Sequence, residues 1–154
     1  PIFPSQTHGL WHGITRDASG NIYALTGFDS NQNVPRANSL LVKFAPSGTK
    51  IWERKLASSS VDVYAHGIEA DSKGNVIALL KDETSTGATT IRLTKFSPSG
   101  SALWSFSPKR PSPAVDTPQS FWLVSDTTSY ILSVGQPKAY DFSYKDYLFR
   151  VTRM

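Results

Sequence analysis

The chain has 154 residues, 39% hydrophobic and 18% charged, which supports one domain with a buried core and excludes a disordered chain. It has no run of about 18 apolar residues, which excludes a spanning helix, and no cysteine, which excludes a disulfide framework, a thiolate metal site and a cysteine nucleophile. A net charge of +4, with no basic run longer than the pair Lys109-Arg110, reads as solubility and not as a nucleic-acid footprint. In chain order, the first expected strands are Trp11–Arg16, Asn21–Gly27, Ser39–Phe44 and Lys50–Leu56. The next four are Ala65–Ala70, Asn75–Lys81, Thr90–Phe96 and Ala102–Phe106. Three more follow at Ser120–Ser125, Tyr130–Val134 and Tyr147–Thr152. Short length, β-branched and aromatic content and flanking Gly, Pro, Asn and Ser favour strand throughout, and no long window carries a capped helical period.

The elements repeat. His12-Gly13-Ile14 recurs as His66-Gly67-Ile68, and Asp17-Ala18-Ser19-Gly20-Asn21 as Asp71-Ser72-Lys73-Gly74-Asn75, both 54 residues on. Lys43-Phe44-Ala45-Pro46-Ser47-Gly48 recurs as Lys95-Phe96-Ser97-Pro98-Ser99-Gly100, and Trp52 as Trp104, 52 residues on. The difference places a variable loop between Asn21 and Lys43. A weaker third copy places Asp126-Thr127-Thr128-Ser129, Ile131–Val134 and Phe149-Arg150-Val151 at matching positions. In the turns, Asp accepts backbone N–H groups and Gly supplies positive φ, while Pro presets φ and Gly closes. Four antiparallel strands repeated every 40–55 residues are expected to form propeller blades. The expected fold is all-β, with about three blades near residues 8–57, 62–107 and 119–154, the third lacking its last strand.

The pattern Gly-Ile-x-x-Asp-x-x-Gly-Asn-Ile/Val, followed by Lys-Phe-x-Pro-Ser-Gly-x-x-Ile/Leu-Trp, resembles bacterial β-propeller repeats of the SBBP type. Its first half is also similar to NHL-type propeller repeats. The resemblance implies blades and, by association, an extracellular or cell-envelope location. It leaves function open, because the architecture serves binders and enzymes alike. Three blades do not close a ring, so a longer chain or a second copy is expected to complete it. The chain starts at Pro1 and its one methionine is Met154, which reads as a processed or truncated piece.

Long, unequal loops are expected at Phe28–Asn38, Asp82–Thr89 and Gln136–Asp146, and at Ala57–Tyr64 and Ser107–Gln119. They carry Phe28, Tyr64, Tyr140, Phe142 and Tyr144, aromatics suited to a protein or glycan surface. The sequence thus reads as a non-enzymatic recognition or assembly module that needs no cofactor. A lectin is one alternative. Another is a metal-dependent enzyme holding zinc or calcium through His12 and His66, a context similar to that of propeller lyases of the peptidylglycine amidating type. That family uses three histidines, and Phe121-Trp122 stands at the third place here. The competing reading makes both histidines structural members of the repeat. Trp52 and Trp104 read as blade packing, Lys43, Lys95 and Arg150 as solvated or inter-blade cations, and Asp17, Asp71 and Asp126 as turn formers.

Overall fold

A computed structural model describes residues 9–28, 38–56, 60–107, 120–125, 129–137 and 144–152, with side chains over 12–27, 39–56 and 60–107. Strand-forming segments separated by tight turns build three antiparallel sheets, and no described residue is helical. The first sheet runs β1 (Gly9–Arg16), β2 (Ile22–Phe28), β3 (Asn38–Phe44) and β4 (Lys50–Leu56), each paired with the next. The second repeats that order with β5 (Val61–Ala70), β6 (Val76–Thr84), β7 (Thr89–Phe96) and β8 (Ala102–Phe106). The third holds β9 (Ser120–Ser125), β10 (Ser129–Pro137) and β11 (Tyr144–Thr152), with β10 central. The protein is therefore all-β, with two four-stranded, blade-like sheets in an incomplete, unclosed arrangement.

The turns have the expected chemistry. Asp17 Oδ1 accepts the N–H groups of Ser19 (3.0 Å) and Asn21 (2.9 Å), and Gly20 takes a φ of 82°. Asp71 does the same for Lys73 and Asn75, both at 2.9 Å. Each Asp thereby links its blade's first strand to its second. The Ser97-x-Ser99-Gly100 turn closes through the Ser97 hydroxyl, which accepts the Ser101 N–H at 3.1 Å.

The expected long loop over Asp82–Thr89 is not present. Strand β6 continues to Thr84, β7 begins at Thr89, and a tight turn joins them. Thr84-x-Thr86-Gly87 repeats the Ser-x-Ser-Gly chemistry: Thr84 Oγ1 accepts the Ala88 N–H at 3.1 Å, and Gly87 has a φ of 80°. Residues 61–64 likewise belong to β5 and not to a loop, because β6 extends far enough to pair with them. In the third sheet β10 and β11 are longer than expected, with Tyr144 paired opposite Pro137.

The core lies between the first two sheets. Tyr23, Leu25, Leu41, Val63, Ala65, Ile68, Val76, Ala78, Leu80 and Phe96 form one buried cluster, flanked by Trp52, Leu56 and Val61. Strand β5 packs against β1, β2 and β3, and also touches β9. The middle strands β2 and β6 are buried on both faces: Tyr23 and Leu25 alternate with Ala24 and Thr26 in β2, and Val76, Ala78 and Leu80 with Ile77 and Leu79 in β6. The outer strand β4 is mostly exposed and carries Lys50, Glu53, Arg54 and Lys55, charges that protect an open sheet edge.

Candidate functional site at the seam between two blades

The repeated His-Gly-Ile triplets build the inner end of this seam. His12 is an extra residue in β1: Trp11 pairs with Thr26 and Gly13 with Leu25, leaving His12 as a bulge. His66 is the same bulge in β5, between Ala65 (opposite Leu80) and Gly67 (opposite Leu79). A bulge re-aims its side chain, and here it brings the two imidazoles to 6.3 Å between ring centroids, tilted by 56°. Glycines make the room. A Cβ on Gly27 would sit 2.9 Å from His12 Nε2, and one on Gly13 would sit 2.8 Å from the Ile68 Cγ2 methyl. In the second blade Lys81 stands where the first has Gly27. Its ammonium lies 4.3 Å from the centre of the Tyr64 ring and 2.8 Å from Glu83 Oε2.

Burial favours neutral imidazoles. It lowers the His12 pKa, and it lowers that of His66 to about 4, helped by repulsion from His12 and Lys81. At neutral pH both rings are uncharged and pack against each other. They supply two nitrogen-bearing side chains, and among the described residues no group of three potential ligands gathers. The third sheet repeats neither the histidine nor the bulge, since β9 pairs with β10 in unbroken register from Ser120 to Ser125.

The outer end of the seam is a clasp. Donors on the first blade reach carbonyls on the turns of the second. Trp52 Nε1 donates to Pro98 O at 3.0 Å, and Arg54 donates to Gly100 O (3.0 Å) and Ser99 O (3.2 Å). Lys43 Nζ also donates to Pro98 O at 3.1 Å, with Asp17 Oδ2 at 4.0 Å. The Tyr23 hydroxyl lies between Gly74 O (2.9 Å) and Asp17 Oδ2 (3.2 Å), and Ser39 Oγ donates to Val63 O at 2.8 Å. The Trp52 ring meets Tyr23 edge-on at 6.0 Å, and the Arg54 guanidinium lies 5.5 Å from the Trp52 ring centre.

The buried acids are held as anions. Burial alone would raise Asp71, but the Asn75 amide, Lys95 and the Asn75 and Lys73 N–H groups outweigh it and bring its pKa to about 2. Asp17 is lowered for the same reason: hydrogen bonds from Asn21 and Tyr23, with the Lys43 charge, overcome its burial. Burial and the Asp17 charge push the Tyr23 phenol well above its ordinary value.

The chain matches no protein-family model and no curated protein. Its function is therefore argued from the seam and from the residues singled out in the sequence. His12 and His66 are brought together, and Lys43 and Trp52 join them on one interface. Tyr64 is in strand β5 beside Lys81 and not in a loop. Phe28 closes β2 and Tyr144 opens β11, and their side chains lie outside the described residues, as do Tyr140 and Phe142 entirely. Sequence reasoning missed Tyr23 and Arg54. The signal for Arg54 was the comparison of Trp52-x-Arg54 with Trp104-x-Phe106: the repeat keeps the indole and changes its neighbour. It also missed the bidentate pair of Arg92 with Asp82, at 2.6 and 2.8 Å across β6 and β7.

Proposed function

We propose that this chain is a non-enzymatic recognition and assembly module of SBBP-type propeller repeats, acting outside the cytoplasm on a protein or glycan partner. One observation carries the reading: the ionisable groups that the repeat buries are spent on its own turns, on ion pairs within a blade and on the seam. Asp17, Asp71, Lys43 and Lys95 lie in such contacts, and His12 and His66 are desolvated against each other. A catalyst would instead aim such groups at a shared cavity. Recognition then falls to the segments between strands, including Tyr140 and Phe142, which a rigid scaffold would present.

The test is a glycan and protein array probed with the intact chain and with a Tyr140→Ala/Phe142→Ala variant. The reading expects a specific binder that the variant loses while its far-ultraviolet spectrum is unchanged. Stoichiometric zinc or calcium uptake that disappears in His12→Gln would contradict it in favour of a metal-dependent enzyme.

A further inference from the structure

The two outer strands hold equivalent places in the repeat but differ in the property that keeps an open sheet edge solitary. Among the described residues, β4 ends its sheet and pairs with β3, and β8 ends its sheet and pairs with β7. An end strand offers a row of backbone N–H and C=O groups along its far side. In β4 that row runs past Lys50, Glu53, Arg54 and Lys55, and the equivalent residues 52 positions on are Ala102, Ser105, Phe106 and Ser107. Every charge of the first edge is thus gone from the second, and no residue between Lys95 and Lys109 is charged. The aliphatic position is kept. Ile51 is 51% exposed and its equivalent Leu103 is 53% exposed, joined on β8 by Phe106 at 39%. The second blade therefore presents a bare apolar edge where the first presents a charged one.

We propose that β8 is a docking edge for the β8 strand of a second copy of the chain, the two strands pairing antiparallel about a twofold axis at Trp104. The proposal rests on the assembly part of the reading above and not on its recognition part. Charge selects this occupant, because an edge admits a strand that sets no like charge against it. Strand β4 pairing with itself about Trp52 would set Lys50 across from Arg54 of the other copy, so that edge excludes its own kind. Strand β8 pairing with itself sets no charge against another. It brings Trp104 beside its symmetry mate, and aromatic cross-strand neighbours add stability. The contact uses the same patch on both copies, so it is isologous and stops at two chains. The charges on β4 keep a pair of copies from growing further through that edge. Main-chain hydrogen bonds supply the affinity of such strand addition. With five residues in β8, the contact belongs with small, transient interfaces.

Light scattering on the intact protein tests this at concentrations up to about 1 mM, where weak contacts are populated. The mass is expected to rise from 16.9 kDa toward twice that value. Leu103→Lys and Leu103→Glu, at an exposed position beside the axis, are each expected to weaken association at least about tenfold with an unchanged far-ultraviolet spectrum. An equimolar mixture of the two variants is expected to recover it, because opposite charges then meet across the axis. A wild-type chain that stays single up to about 1 mM overturns the proposal. So does a mass that grows beyond two chains, an association that neither variant weakens, or a mixture that stays apart. The recognition reading stands or falls separately, on the array experiment.

Discussion

Gly27 shows how one missing side chain shapes the seam. Its hydrogen leaves the space that His12 fills, so Gly27→Ala must displace the imidazole or the strand. We expect a loss of about 1–3 kcal/mol in denaturant unfolding, the usual cost of overpacking a filled site. His66 has a different consequence. Its folded pKa, about 4, lies below the ordinary 6.5, so the unfolded chain binds a proton more readily than the folded one. The stabilisation from keeping the ring neutral is whole above pH 6.5 and is lost as pH falls toward 4. Asp71 acts lower on the scale. Its folded pKa of about 2 makes its contribution complete above its ordinary 3.8 and lost as pH falls through 2. Unfolding free energy measured from pH 7 to 4 should therefore decline in the wild type and decline less in His66→Gln. An equal slope in both proteins would show that the ring is solvated.

Turns and strands carry most of what was legible in the sequence. Asp-x-x-Gly-Asn and Pro-Ser-Gly each state a local hydrogen-bond pattern, so strands β3, β4 and β8 end close to where their flanking turns place them. The turn at Thr84–Ala88 used the same chemistry with threonines, and the absence of proline hid it. The bulges were not legible, because an extra residue shows only against its partner strand, and that register comes from long-range pairing. Tyr64 was misplaced for a related reason: the extended β6 recruited residues 61–64 that local composition alone left in a loop. Two equivalent turns give an internal control on the seam. Gly100→Ala meets both a positive φ and the Trp52–Arg54 contact, whereas Gly48→Ala meets only the positive φ. We expect the first to cost more than the second by at least about 1 kcal/mol, the scale of an added steric clash. Equal costs in thermal unfolding would mean that the clasp yields freely.

At the scale of the whole molecule, the first two sheets share a single core instead of holding one each. Tyr23, Leu25 and Leu41 on one sheet pack with Val63, Ile68 and Leu80 on the other. The clasp pins the outer rim of that core, where Trp52 and Arg54 reach the Pro98–Gly100 turn. Blades joined this way unfold together when the interface outweighs the stability of each blade alone. Trp52, Lys43 and the Pro98–Gly100 turn, legible as members of the repeat, therefore also couple one repeat to the next, together with Tyr23 and Arg54, which the repeat does not keep. The most direct measurement of this coupling is scanning calorimetry of the intact chain beside a Trp52→Ala/Arg54→Ala variant, with amide exchange as the local readout at Ala70, whose N–H donates across the seam to Thr15 Oγ1 (3.3 Å), and at Gly100, whose N–H donates to Ser97 O (2.9 Å) in the gripped turn. The account predicts one cooperative transition for the first two blades in the wild type. In the variant it predicts a transition at lower temperature, with faster exchange at both amides. An unchanged transition and unchanged exchange would contradict it, and would mean that the blades stand independently of the seam.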